Sequence, residues 1–335
     1  MNLAQSGAAP GVNLNPLACD QEGGRGFDSA RDPAVDTSSD PSRDLSRDPY
    51  RDPYRDPHRI NADLHCHSYF SDGTLAPSEV VARAHRNGVG LLALTDHDDV
   101  SGLSEAAATA AELGVAFIPG VEISVSWGGE TIHVVGLRID PNDTDLCAGL
   151  ASVRSGRDAR AREMGAQLAR VGLTGAFEGA AALAGNPALV SRTHFARWLV
   201  ERGTCTDVRA VFLKYLVPGR PGYVPHAWAR LSEAVSWIAG AGGVAVLAHP
   251  ARYKLGELAL SALVEEFRNA GGLAIEVASG SHTRDQVRRF ARLALAEGLE
   301  ASRGSDFHSP LESHADLGFG PVLPDSVLPV WHRWV

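Results

Sequence analysis

Residues 63–73 read DLHCHSYFSDG, with His65, His67 and Asp72 gathered where a short apolar run ends. Side chains alternate along an extended segment, so His65 and His67 point one way and Cys66 points the other, into packing. Two imidazoles side by side with a carboxylate close behind can hold a divalent cation or move protons. The same residue types recur downstream. Asp96 and His97 follow GLLALT, and Glu122 and His133 lie in two later apolar runs. His249 follows VAVLA, and Asp306 and His308 end the run LEASRGSDFHS.

The elements that must carry these residues follow a βα rhythm from Ile60 onward. Strands are expected at 60–64, 90–99, 115–124, 131–139, 242–250, 271–279 and 299–309, with helices at 77–88, 101–114, 257–270 and 283–297. PSEVVARAHRNG places Pro at a helix start and Gly at its end. Apolar strands alternating with amphipathic helices imply a parallel sheet covered by helices. Each candidate residue then lies at or near the C-terminal end of a strand, the face on which α/β barrels build their active sites. Residues 141–229 read instead as helices, including 157–172 and 191–203, and are expected to be a helical subdomain inserted between two barrel strands as a cap over the substrate. Residues 1–59, with the near-repeat SRDPYRDPYRDPHR, are expected to be a disordered tail. The domains are therefore 1–59, a barrel of 60–140 and 230–335, and the insertion 141–229.

Composition narrows the function. With 335 residues and 44% apolar content the chain can bury a large core. A net charge of −9 argues against long nucleic acids as partners, but not against a small phosphorylated ligand held by local cations. No apolar run approaches the roughly 20 residues that cross a bilayer, so no membrane partner is expected. Cys19, Cys66, Cys147 and Cys205 are far apart and form no CxxC pair, which fits a reducing compartment and excludes a thiolate zinc site. The chain is expected to be cytoplasmic, as a monomer or small homo-oligomer.

Of 13 histidines, His85, His226, His282, His314 and His332 lie on helices or loops away from strand ends and are read as structural, and His58 belongs to the tail. Six others converge with carboxylates at strand ends. Buried charges that close repel unless cations neutralise them. Imidazole and carboxylate without thiolate suit manganese, iron or zinc. Asp96, beside His97, is expected to orient a metal ligand rather than to be one.

Taken together, DLHCHSYFSDGTLAP, LALTDHDD, PGVEIS, HVVGL, AHP and GSDFH resemble the PHP (polymerase and histidinol phosphatase) family over nearly everything from Ile60 to Pro321. The resemblance implies a distorted (β/α)7 barrel with two or three divalent ions, manganese foremost. It implies His65, His67, Glu122 and Asp306 on the first metal, Asp72, His97 and His308 on the second, and His133 and His249 on the third, with Glu122 bridging. It also implies phosphate-ester hydrolysis by a metal-bound water positioned by Glu122, Asp72 and His308. Glu122, bound to more than one cation, would stay ionised and could not act as a general acid.

Within the family, the chain length, the insertion after HVVGL and the motif SRTHFAR look most like the branch that removes the 3′-phosphate from nucleoside 3′,5′-bisphosphates such as pAp and trims short RNA from its 5′ end. That likeness puts Arg192 and His194 on the substrate, with Arg220 of PGRPGY as a further candidate. A guanidinium offers a planar fork to a second phosphate. Two alternatives remain open at this point: a histidinol phosphatase or other small phosphomonoesterase, and a non-catalytic accessory module.

Overall fold

In the computed structural model the described residues are 57–334. Seven strands follow in chain order: β1 (Ala62–Asp63), β2 (Leu91–Leu94), β3 (Ala116–Trp127), β4 (Glu130–Leu137), β5 (Val244–Leu247), β6 (Ala274–Ser279) and β7 (Glu300–Gly304). They form one sheet in that same order. Helices α1 (Pro77–Arg86) and α2 (Leu103–Leu113) join the first strands, and α7 (Leu231–Gly240), α8 (Glu257–Asn269) and α9 (Arg284–Glu297) accompany the last. Local signals set their ends. The Glu79 carboxylate accepts Ala76 N–H at 2.8 Å at the start of α1, and Thr283 with Gln286 forms a capping box at the start of α9.

The sheet curls until its edges meet. Leu64 N–H donates to Arg303 O at 2.9 Å, His67 N–H to Phe307 O at 2.8 Å, and Asp306 N–H to His65 O at 2.8 Å. The bonds that close the barrel thus run between the two segments that carry His65, His67, Asp306 and His308. Gly304 permits this approach, since a Cβ there would lie 2.3 Å from His65 Cβ.

The sheet is not wholly parallel, as the strand-helix rhythm had implied. β4 runs antiparallel to both β3 and β5. The cause is the two-residue turn Gly128–Gly129, with φ of 57° and 82°. Positive φ at both turn residues suits the tight hairpins that match strand twist, and a tight hairpin leaves no room for a crossover helix. The reversal serves the site. His133 lies near the start of β4, which an antiparallel strand brings to the end of the barrel where its neighbours finish.

Between β4 and α7 lie α3 (Thr144–Arg170), α4 (Ala176–Ala182), α5 (Arg192–Glu201) and α6 (Val208–Val211). Helix α3 begins well before the expected 157, capped by Asp143, whose carboxylate accepts Leu146 N–H at 2.8 Å. Gly149 and Gly156 lower helix propensity there and hid its start. Its first half (Leu146, Leu150, Val153) packs into the barrel core, whereas its second half (Met164, Leu168) joins a separate cluster with Phe195, Leu199, Val211 and Leu216. One helix therefore spans both cores. Residues 1–56 of the expected tail lie outside the described residues. Pro57–Arg59 form a 3-10 turn, and Pro57 O accepts from Trp331 Nε1 at 2.9 Å, so ordered chain begins slightly before the expected boundary.

Candidate metal centre

All nine expected ligands meet at one end of the barrel. Glu122, fully buried on β3, lies at the centre. Its Oε2 is 3.3 Å from His65 Nε2, 3.3 Å from His67 Nε2 and 3.0 Å from His97 Nδ1. Its Oε1 is 2.9 Å from His133 Nδ1 and 3.0 Å from His249 Nε2. Asp306 Oδ1 stands 3.3 Å from His67 Nε2 and 3.6 Å from His65 Nε2. Asp72 Oδ1 stands 3.2 Å from His308 Nε2 and 3.8 Å from His97 Nε2. The donor atoms fall into four overlapping sets: His67, Asp72, His97, His308; His65, Glu122, His249; His65, His67, Asp306; and His97, Glu122, His133. His67 thus also neighbours the expected second-metal group, and His249 lies with His65 as well as beside His133.

The arrangement fits divalent cations. Two donors each about 2.1 Å from one ion, at octahedral or tetrahedral angles, stand roughly 3.0–3.4 Å apart, which is the spacing seen. Moreover, His65 Nε2, His67 Nε2, Asp72 Oδ1, His97 Nδ1 and Glu122 Oε2 are buried without a hydrogen-bond partner. Buried polar atoms are nearly always partnered, so five orphans aimed at one another call for an ion.

Electrostatics agree. Burial would raise Glu122, but His133, His97 and His65 hold it well below the usual carboxylate range. Burial would likewise raise Asp306, which Arg252 and His65 hold well below that range. Burial lowers His97, yet Glu122 and Asp72 outweigh it and lift the ring to about 9. Burial pushes His67 down to about 3 and His133 down to about 4. His97, with His65 and His308, which are also raised, thus stays protonated beside the carboxylates while His67 and His133 stay neutral, and a cation taking their place would release protons.

The sequence reading missed Glu276. From the buried strand β6 its Oε1 sits 2.6 Å from His65 Nδ1, and its Oε2 accepts His249 N–H at 2.6 Å. One carboxylate thereby orients two ligand candidates and holds His249 at a φ of 24°. Its signal was a lone acid in the apolar run AIEVAS. Asp96, expected to orient a ligand, accepts from Ser68 N–H (2.7 Å), Ser68 Oγ (2.6 Å) and Ser71 Oγ (2.6 Å). It ties down the loop after His67 and reaches that imidazole only through Ser71, whose Oγ lies 3.5 Å from His67 Nδ1. Burial pushes Asp96 up to about 6 against these hydrogen bonds.

A cavity of 490 Å³ opens beside the cluster, with Arg157, Arg160, Arg192, Arg252, Trp228 and Phe212 in its walls. Arg157 is anchored on the Asp98 carboxylate and on Ser124 Oγ at 3.0 Å, over the Trp228 ring at 4.5 Å. Arg160 donates Nε to Val224 O at 3.0 Å. Burial lowers Arg160 to about 10, with Arg192 and Arg157 adding to the effect. Arg192 sits 5.8 Å over the Phe212 ring and makes no hydrogen bond or ion pair with any described residue. Burial lowers it too. Sequence reasoning singled out Arg192 but read Arg157 and Arg160 only as helix formers. Arg252, three residues past His249 in AHPARY, is paired with Asp306.

The other two substrate candidates are placed differently. His194 is buried and does not line the cavity. Its Nδ1 accepts Ser191 N–H at 3.0 Å, which caps α5. Arg220 is exposed and also absent from the cavity wall. The rest of SRTHFAR grips Asp72: Thr193 Oγ1 donates to its carboxylate at 2.9 Å, Ser191 Oγ at 3.3 Å, and Arg197 Nη1 to its carbonyl at 2.8 Å.

The PHP domain model matches residues 63–217. A 3′,5′-nucleoside bisphosphate phosphatase of Chromobacterium violaceum is 55% identical over 273 residues, which is 82% of this chain and 96% of that one. The chain belongs to the PHP family. A 5′-3′ exoribonuclease of Haemophilus influenzae is 42% identical over 81% of this chain and 98% of its own length. Among solved structures, one from Chromobacterium violaceum, described as an amidohydrolase with bound sulfate and no metal, superposes with a TM-score of 0.80 at 54% identity, covering 82% of this chain and 95% of that one. A protein of Bifidobacterium adolescentis, provisionally classed as a metal-dependent phosphoesterase, gives 0.68 at 25% identity over 81% of this chain and 93% of its own. The chain is a phosphoric ester hydrolase of this family, with groups of His, Asp and Glu able to hold divalent ions.

Proposed function

We propose that this chain removes the 3′-phosphate from nucleoside 3′,5′-bisphosphates, converting pAp to AMP, and also trims short 5′-phosphorylated RNA. The observation that supports this reading is Arg192, a half-buried guanidinium with no hydrogen bond or ion pair among the described residues, facing the cavity that the metal cluster floors. With Arg160 close by, it supplies a second anion site that a simple monophosphate would leave empty.

His65, His67, Glu122 and Asp306 would hold one ion, Asp72, His97 and His308 another, and His133 with His249 a third, Glu122 being shared. Manganese suits this donor set, with iron or zinc as alternatives. Bound divalent ions would polarise the scissile phosphate and make water nucleophilic at neutral pH. The chain's own groups do the rest. Glu276 and the Asp96–Ser71 link keep the imidazoles in register. Arg192 and Arg160 receive the 5′-phosphate and so fix the 3′-phosphate over the cluster. Trp228, held by Ser126 and Thr131 through hydrogen bonds of 2.8 and 3.2 Å, offers a rigid apolar wall to the nucleoside. We assign 60–140 and 230–335 to the metal-binding barrel, 141–229 to the substrate cap and 1–59 to a segment outside both. The enzyme works in the cytoplasm, consistent with the free thiols of Cys66, Cys147 and Cys205.

Metal-stripped protein reloaded with manganese, magnesium, iron or zinc should recover hydrolysis, with pAp giving a higher kcat/KM than histidinol phosphate. A preference for histidinol phosphate, or no turnover of any phosphate ester with any metal, overturns the proposal.

A further inference from the structure

The metal cluster has open space on two sides. Beyond Arg252, Asp306 and His308 a second cavity of 720 Å³ opens, sharing those residues, Thr193 and Phe212 with the first. Its further walls include Arg209, Ser281, Leu311 and His314. Leu311 is 95% exposed, an unusual state for a large apolar side chain beside a catalytic cluster. Ser281 Oγ is buried with no hydrogen-bond partner. The two acids in these walls are already engaged. Glu312 pairs with Arg197 at 2.8 Å, and Asp207 accepts Ala210 N–H at 2.8 Å as the cap of α6. Arg209, exposed on α6, is left as the cation facing the space.

A nucleoside bisphosphate cannot use this groove, because it ends at its 3′-phosphate. An RNA can, because its next nucleotide is joined on the far side of that same phosphate. We propose that the groove is the subsite for the nucleotide 3′ of the scissile phosphate, with Arg209 meeting the next phosphate or ribose, Leu311 the base and Ser281 Oγ a ribose hydroxyl. The inference rests on the reading of the first cavity as the site of the 5′-terminal nucleotide. Water adds to phosphorus, the bond from phosphorus to the 3′-oxygen breaks, and that oxygen takes a proton. A 5′-mononucleotide leaves the first cavity, and the shortened RNA keeps the phosphate at its new 5′ end. That end can re-enter the first cavity only after a shift of one nucleotide, so the RNA must let go of the groove between cuts. With Arg209 as the one cation among the described lining residues that forms no ion pair, the groove holds short RNA loosely, in keeping with a chain of net charge −9.

The test compares pAp with the dinucleotide pApA for wild type, Arg209→Glu, Arg209→Lys and Leu311→Ala. Wild type should convert pApA to two AMP. Arg209→Glu should lower the ratio of kcat/KM for pApA over pAp by about tenfold or more, chiefly through KM, because it replaces a donor to the ribose with a carboxylate that repels the substrate's phosphates. Arg209→Lys should restore most of it, and Leu311→Ala should lower the ratio by a smaller factor. An unchanged ratio in both Arg209→Glu and Leu311→Ala overturns the subsite. Wild type that turns over pAp but not pApA also overturns it and leaves the bisphosphate reading standing, whereas failure on pAp itself sinks that reading instead.

Discussion

Glu122 faces five imidazoles with its two oxygens, and no arrangement of protein hydrogen bonds could satisfy them all. Glu122→Gln and Asp306→Asn remove charge from a site meant for several cations, so both should lose metal as well as rate. Elemental analysis of the purified variants checks this, and full stoichiometry with near-normal turnover would refute the ligand assignment. Arg192 makes the complementary case on the substrate side. Arg192→Ala should cost bisphosphate hydrolysis roughly 10- to 150-fold in kcat/KM, the worth of a charged hydrogen bond of about 1.5–3 kcal/mol. A generic monoester such as p-nitrophenyl phosphate should lose much less, and Arg192→Lys should recover only part, since a point charge lacks the fork. Equal losses on both substrates would make Arg192 a structural residue.

Helix α5 serves the site twice, with Arg192 facing the substrate cavity and its other first-turn residues supporting the metal cluster. Its first turn places Ser191 and Thr193 on Asp72, and His194 secures that turn by accepting Ser191 N–H. Burial lowers His194 from 6.5 to about 4. Between those values the unfolded chain binds a proton that the folded chain refuses. Stability is therefore fully present above pH 6.5, falls as pH drops below it and is lost by about pH 4, by at most about 3 kcal/mol. His194→Gln keeps a capping-box residue that does not titrate. The Tm difference between wild type and this variant should shift against wild type from pH 6.5 to 4, and parallel curves would show that His194 contributes nothing. The elements also mark how far sequence could be read. The convergence of the candidate ligands was legible because imidazoles and carboxylates at the ends of apolar runs have few structural uses. Glu276 was not, because a single acid inside a buried strand reveals its purpose only when His65 and His249 are seen on either side. Nor was the direction of β4, since TIHVVGL has the same pattern either way and only the Gly128–Gly129 turn reverses it. His194 looked like a substrate contact because SRTHFAR was read as a unit, whereas on a helix its residues face different neighbours.

At the scale of the whole molecule, barrel closure and metal binding are one construction. The hydrogen bonds from Leu64, His67 and Asp306 that join the sheet edges hold the ligand segments, so cations should stabilise the fold as they load the site. Every group in this account lies within residues 57–334. A chain beginning at Pro57 should therefore keep kcat/KM and Tm, and a loss of more than about tenfold in kcat/KM would give the preceding residues a role. In the proposed reaction two phosphates of one nucleotide are recognised at once, one on the metals and one on the arginines. The most direct test is kcat/KM for adenosine 3′,5′-bisphosphate against adenosine 3′-monophosphate, which differ only in the 5′-phosphate. The account predicts a preference of roughly 10- to 150-fold for the bisphosphate, with the 5′-phosphate retained in the product; equal rates on the two, or release of the 5′-phosphate, would contradict it.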